Sequence, residues 1–134
     1  VAPVTADARV RRAVLAMEQA MAEPVTIATI AGSVGISERQ LDRLFRNELA
    51  AGPAEIYRNM RLDYSRWLIA NSRRSISDIA ALSGFADGAH FARAYRRRFG
   101  VPPASLRNAG VASVTDVPPD GRVFAETERR NNTG

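Results

Sequence analysis

A pattern that occurs twice limits the possible folds of this chain more than any single motif in it. The segment from Ile27 to Phe45, IATIAGSVGISERQLDRLF, is answered by ISDIAALSGFADGAHFARAY, from Ile76 to Tyr95. Ile27, Ile30, Ala31 and Gly35 correspond to Ile76, Ile79, Ala80 and Gly84, each 49 positions on. After the turn the second copy carries one extra residue. Leu41, Arg43, Phe45, Leu49 and Pro53 then correspond to Phe91, Arg93, Tyr95, Phe99 and Pro103, each 50 on. An internal repeat fixes architecture before any local reading does. In both copies a short apolar-periodic helix stops at a glycine, and a longer helix follows with one apolar and one basic face. That is the layout of a helix-turn-helix unit. The expected fold is therefore all-α, with seven helices forming two helix-turn-helix subdomains joined by a long linker helix.

The second helix of each copy is the candidate reader. In the later copy Asp87 opens the pattern, and Phe91, Ala94, Tyr95 and Phe99 make the apolar stripe. The other side shows His90, Arg93, Arg96 and Arg97, with no acid between Gly88 and Arg107. In the earlier copy Ser37 caps the helix, and Ser37-x-x-Gln40 reads as a capping box. Leu41, Leu44, Phe45 and Leu49 face inward there, while Arg39, Asp42, Arg43 and Arg46 share the opposite face. A solvated charged face is the ordinary fate of such a stripe. The matching second copy turns the reading toward DNA. Asp42 repels phosphate, so it is suited to accept from cytosine N4, to orient a neighbouring Arg, or to pair within the helix with Arg39 or Arg46.

Around these units the remaining elements fall into place. A first helix is expected from about Ala6 to Ala22, with Val10, Val14, Met17 and Met21 inward, closed by Glu23-Pro24. Thr26 caps the second helix, which stops at Gly35. Gly52-Pro53 starts the fourth, which runs to about Ala70 or Asn71 with Ile56, Tyr57, Met60, Tyr64, Trp67 and Leu68 toward the core. At 1.5 Å per residue it spans about 27 Å. A rigid spacer of that length can hold two readers in successive major grooves, whose repeat is about 34 Å. Ser75 caps the fifth helix, and Pro102-Pro103 begins a short last helix ending near Arg107. The opening residues 1–8 read as a linker remnant. Residues 108–134, with turn formers, mixed charge and no sustained period, read as a disordered tail. The sequon at Asn131 has no weight without a secretion signal, which Val1 to Ala8 does not resemble.

Composition narrows the function classes. At 134 residues and 46% hydrophobic content the chain suits one globular domain with a modest core. No apolar run approaches the ~20 residues of a membrane span. The absence of Cys excludes disulfides and Cys-ligated metal, and is compatible with the cytoplasm, the expected location. The formal charge is +5, and all 19 basic residues are Arg. Arg grips phosphate and guanine edges bidentately. A genome-wide codon preference also yields a Lys-free chain, so the distribution of charge matters more than its sum. Gly88 to Arg107 alone holds Arg93, Arg96, Arg97, Arg98 and Arg107 without an acid.

These residues carry a family resemblance. The chain from about Arg9 to Arg107 resembles the DNA-binding domain of the AraC/XylS regulators of bacterial transcription. The matches are Ile76-x-x-Ile79-Ala80-x-x-x-Gly84-Phe85, then His90-Phe91-x-Arg93-x-Tyr95-Arg96-Arg97-Arg98-Phe99-Gly100, then Pro103 and Arg107. Ser37-x-Arg39-Gln40-Leu41-x-Arg43-Leu44-Phe45, the Arg61-Leu62 pair and the His90-Phe91 step are similar to the subgroup whose N-terminal domain resembles class I amidotransferases of the DJ-1/PfpI type. Three departures stand out. Ala50 takes the place of a usual Gly, Ser65 and Trp67 replace common Ala and Leu, and Gly88 and Ala89 are small.

The resemblance implies a domain over 9–107, with a first helix-turn-helix at about 26–49, a linker helix at about 53–71 and a second helix-turn-helix at about 75–99. Its base-facing positions match Arg39, Asp42 and Arg43 in the first reader, and Ala89, His90 and Arg93 in the second. Arg43 and Arg93 occupy equivalent places in the repeat. Ser37, Gln40, Arg46, Ser75, Arg96 and Arg97 are the candidate phosphate contacts. The implied partners are double-stranded DNA and RNA polymerase, with no membrane and with dimerisation through an N-terminal domain absent from this chain. No cofactor, metal or catalytic residue is expected. His90 is the sole histidine and builds neither a metal site nor a triad by itself.

Two other classes compete. An enzyme reading is poor, because Gly32-Ser33-Val34-Gly35 is a helix-ending turn rather than a nucleophile elbow, and no phosphate loop or metal motif is present. A helical protein-interaction module with solvated Arg faces has no need of two equivalent Arg positions. Within the favoured class, the alternative is a stand-alone activator lacking a sensor domain.

Overall fold

Polar residues able to accept from free backbone amides stand just ahead of most of the apolar periods, and they set where those helices begin. The computed structural model describes residues 6–108. Its elements are α1 (Ala8–Glu18), α2 (Ile27–Val34), α3 (Glu38–Leu49), α4 (Pro53–Asn71), α5 (Ile76–Leu82), α6 (Gly88–Phe99) and α7 (Pro103–Asn108). Asp7, Thr26, Ser37, Ser75 and Asp87 each accept from amides of the helix that follows. Around α3 the box is reciprocal: Ser37 Oγ accepts from the Gln40 amide at 3.1 Å, and Gln40 Oε1 accepts from the Ser37 amide at 2.9 Å. Pro53 stands first in α4, where no amide donor is missed. The expected all-α class with seven helices agrees with this order. Residues 109–134 of the expected tail and residues 1–5 of the expected linker remnant lie outside the described residues; of the remnant's last three, Asp7 caps α1 and Ala8 begins it.

The first helix is shorter than its periodicity suggests. Asp7 caps it through the amides of Arg9 and Val10, so it starts at Ala8 rather than Ala6. At the other end it stops at Glu18, four residues before Ala22. The cause is tertiary. The Ala20 amide folds back onto the Met17 carbonyl, and the Ala20 carbonyl accepts from the Tyr57 hydroxyl of α4. The same hydroxyl oxygen accepts from the Val25 amide at 3.2 Å. Tyr57 thus pins both ends of the α1–α2 loop, and Met21 reaches the core from non-helical backbone.

Two three-helix units share α4. Helices α1, α2 and α3 pack together, with α1 and α3 also on α4, while α5, α6 and α7 pack on α4 as the second unit. The expected stripes are present: Val10, Val14 and Met17 on α1, Leu41 and Phe45 on α3, and Phe91, Ala94 and Tyr95 on α6 are buried. Leu44, Leu49 and Phe99 are partly buried at the margins. On α4, burial extends past the expected stripe to Leu62, Ser65 and Ile69, because this helix serves both units and has little solvated side. Ser65 is tolerated there since its Oγ donates to the Leu62 carbonyl at 2.6 Å. Arg107 of α7 closes the end of α4 by donating to the carbonyls of Ile69, Ser72 and Arg74.

Two turns impose backbone conditions. Gly84 has φ +84°, and a Cβ there would stand 2.5 Å from both the Met21 carbonyl oxygen and Pro24 Cγ. The second unit therefore touches the α1–α2 loop backbone to backbone. Ala50, after α3, is the only non-glycine residue of positive φ among the described residues, at 61°. Left-handed backbone costs a residue with a Cβ roughly 1–2 kcal/mol, and glycine returns part of that gain as chain entropy. Ala50→Gly is expected to raise stability by about 0.5–1 kcal/mol. The check is the urea or thermal midpoint, which should rise by a few degrees; an unchanged or lower midpoint would contradict it.

Candidate nucleic-acid interface

Because Leu41 and Phe45 anchor α3 in the core, the opposite face of the helix is turned outward. Arg39 and Arg43 are exposed. Asp42 is half-buried and accepts from Arg46 Nε at 2.9 Å, one turn along. Of the three roles open to Asp42, the isolated domain shows the intrahelical pair with Arg46. The hydrogen bond that Arg46 donates to the Asp42 carboxylate raises the Arg46 guanidinium pKa above its ordinary range. Arg46 also folds back toward the start of α4, where a Cβ on Gly52 would meet its Nη2 at 2.8 Å. Ser37 and Gln40 are exposed at the entry of α3 and satisfy each other through the capping box.

The second reader repeats this plan. Phe91 and Tyr95 are buried, and Ala89, His90, Arg93, Arg96 and Arg97 are exposed. Arg93, Arg96 and Arg97 sit at i, i+3 and i+4, one contiguous basic patch. Arg96, Arg97 and Arg98 occupy the last turn of α6, where positive charge complements the helix dipole. His90 stands edge-on to the Phe85 ring with centroids 5.5 Å apart, so the turn before α6 steadies it. Ser75 is exposed and accepts from the Asp78 amide at 3.0 Å.

Not every arginine in the acid-free run faces outward. Arg98 makes a fork with Asp63 of α4, its Nε and Nη2 standing 2.8 and 3.0 Å from the two carboxylate oxygens. Its guanidinium and that of Arg66 lie 5.4 and 5.0 Å from the Phe99 ring centroid. Arg107 is held by the carbonyls at the end of α4. These two are fasteners for the second unit, so the outward charge of this segment is carried by Arg93, Arg96 and Arg97. The sequence offered no signal for the Arg98–Asp63 pair, whose members are 35 positions apart. Arg61 was also missed as an internal group; its setting among Tyr57, Met60 and Leu62 was the available hint.

With two equivalent helices each offering an exposed basic face, the comparison with known proteins is decisive. A family model described as a helix-turn-helix domain matches residues 30–109. A crystal structure of a transcriptional regulator from Chromobacterium violaceum, described as AraC-type DNA-binding domain-containing, is similar at TM-score 0.72 and 37% identity, over 75% of this chain and 89% of that one. The chain belongs to the AraC-type helix-turn-helix domains. It is also 40% identical over 100 residues to the HTH-type transcriptional regulator ArgR of Pseudomonas aeruginosa, covering 75% of this chain but only 30% of that protein. The DNA-binding domain of AdpA, solved in complex with a target DNA, shares the fold at TM-score 0.72 and 24% identity, over 77% of this chain and 93% of that one. No helix among the described residues is long and apolar enough to cross a membrane.

For this AraC-type domain the division between fasteners and outward arginines has a measurable consequence. Arg98→Ala should cost about 1 kcal/mol of stability and Arg107→Ala about 2 kcal/mol, through the lost fork and the uncapped carbonyls. Arg97→Ala should stay within about 0.5 kcal/mol, as expected of a solvated position. Urea denaturation of the three variants reads the difference; a loss in Arg97→Ala matching that in Arg107→Ala would erase the distinction.

Proposed function

We propose that this domain reads double-stranded DNA with both α3 and α6, placed in successive major grooves on one face of the duplex. The observation that carries this is the repeat itself: Arg43 and Arg93, at matched positions, both stand exposed opposite buried aromatic anchors. A solvating surface has no reason to repeat in that register. Helix α4, with 19 residues and a length of about 28 Å, sets the readers apart on the scale of one groove repeat, about 34 Å. The AdpA complex with DNA, which has the same fold, supports the reading.

Roles divide by chemistry. Arg39, Arg43 and Arg93 suit guanine O6 and N7, each good fork contributing about 1–3 kcal/mol of discrimination. Asp42 and His90 complete the base-facing sets, and Ala89 leaves room for a base edge or methyl group beside them. Arg96 and Arg97 suit phosphates, as do Ser37, Gln40, Arg46 and Ser75 at the reader and helix entries. The Arg46 pair with Asp42 engages Nε, is solvent-exposed and is weak enough to exchange for a phosphate.

The larger regulator is part of the same reading. ArgR is more than three times as long as the matched segment, which is 30% of it. The proposal is a cytoplasmic transcription regulator acting with RNA polymerase, whose sensor and dimerisation functions belong to an N-terminal domain of the DJ-1/PfpI type.

The test is selection of the domain against random duplex DNA, followed by titration of the winner at several salt concentrations. Two short conserved blocks about one helical turn apart are expected, with a steep salt slope that counts phosphate contacts. No enrichment, with weak binding abolished by modest salt, would leave a basic helical interaction module instead. On the selected site, Arg43→Ala and Arg93→Ala should each weaken binding by about tenfold or more. Their nonspecific binding should change much less. Equal losses on random and selected duplexes would show both to be phosphate contacts only.

A further inference from the structure

Arg61 sits where the two units meet. Its guanidinium carbon lies 5.0 Å from the centroid of the Tyr57 ring and 5.0 Å from that of Phe85. Nη1 donates to the Gly84 carbonyl at 3.2 Å. Tyr57 belongs to the first unit through its hydroxyl, which bonds the Ala20 carbonyl and the Val25 amide. Gly84 and Phe85 belong to the second, and Gly84 abuts Met21 and Pro24 of the same α1–α2 loop. Phe85 in turn packs on Phe91 of the second reader, centroids 5.3 Å apart, and on the His90 ring. A continuous set of contacts therefore runs from the α1–α2 loop through Tyr57, Arg61 and Phe85 to the first turn of α6.

Stability alone does not account for an arginine here. Its Nε is buried and finds no hydrogen-bond partner among the described residues. Burial pushes its guanidinium pKa down, and no carboxylate offsets it. A half-buried cation so poorly compensated is commonly matched or bettered by an apolar residue of similar volume. What an apolar residue lacks is a flat cation presenting two faces to two rings and an edge to a carbonyl, which fixes angles as well as distances. The helices in substantial contact pair either within a unit or with α4. The twist between the readers thus depends on the stiffness of α4 and on this corner.

We propose that Arg61 is the positioning residue that fixes the separation and twist of α3 and α6, and so restricts the domain to one half-site spacing; this rests on the two-reader function above. Each added base pair displaces a half-site by about 3.4 Å and rotates it by about 35°. A clamped pair follows neither change. A released pair follows both within the bending range of α4.

Two measurements on the whole chain test this. The sequence has no Cys, so spin labels can be placed through Asn47→Cys on α3 and Ala92→Cys on α6, both exposed positions. The distance distribution between them should be narrow with Arg61 present, broad in Arg61→Leu, and intermediate in Arg61→Lys, which keeps the charge without the plane. Equal widths in a folded Arg61→Leu would overturn the clamp. Should Arg61→Leu fail to fold, judged by its thermal transition, Arg61→Lys carries the same comparison. The second measurement repeats the random-duplex selection with the parent and the variant. The parent should favour one spacing over a one-base-pair displacement by about tenfold, and the variant by less than about threefold, with unchanged block sequences. The same single spacing from a variant with broadened distances would overturn the link to spacing. A parent that selects no block defeats the DNA reading and the spacing claim together, whereas the label widths report on the clamp without DNA.

Discussion

Helix α4 has to bury two faces at once, and the arrangement of the other six helices among the described residues follows from that demand. It meets α1 and α3 of the first unit and α5, α6 and α7 of the second. Leu62, Tyr64, Ser65, Trp67, Leu68 and Ile69 are all buried, a run too dense for one amphipathic stripe. The buried residues of both units join in one cluster. Each unit closes its interior with an aromatic anchor from its reader helix, Phe45 in the first and Phe91 with Tyr95 in the second. The faces left outward are the ones that carry arginine. Positioning the readers and completing the core are the same physical event.

The arginines divide into two populations with different work. Arg98, Arg107 and Arg61 turn inward to a carboxylate, to helix-end carbonyls and to aromatic faces, and they hold the second unit in place. Arg39, Arg43, Arg93, Arg96 and Arg97 are exposed. Keeping like charges together on a surface costs self-repulsion, which a polyanion relieves on binding. The planar guanidinium serves both populations, as a fork for carboxylate or base and as a plate between rings.

The fold was readable in the sequence wherever local chemistry decides. Ser37 with Gln40, Thr26, Ser75 and Gly35 marked helix ends that the structure keeps, and the 49-residue offset gave the two-unit plan before any packing was considered. Legibility ended where contacts distant in sequence take over. The early stop of α1 is imposed by Tyr57, 37 positions from Ala20. Burial of Leu62 and Ile69 comes from α4 having a second partner, which one helical period cannot express. For the candidate site, the outward faces of both readers were legible from spacing, because anchors at Leu41, Phe45, Phe91 and Tyr95 fix what lies opposite. The Asp42–Arg46 pair was one of several geometries that i,i+4 spacing allows. The inward roles of Arg98 and Arg61 were hidden, since an arginine in a basic run carries no mark of which way it turns.

A rigid molecule that presents two readers to one side of a duplex leaves a distinctive pattern of protection on the DNA. Hydroxyl-radical footprinting of the domain on its selected duplex tests this most directly. The account predicts two protected windows on the same face, centred about 10–10.5 base pairs apart, with the intervening minor groove cleaved normally. One window alone, or two on opposite faces, would contradict it.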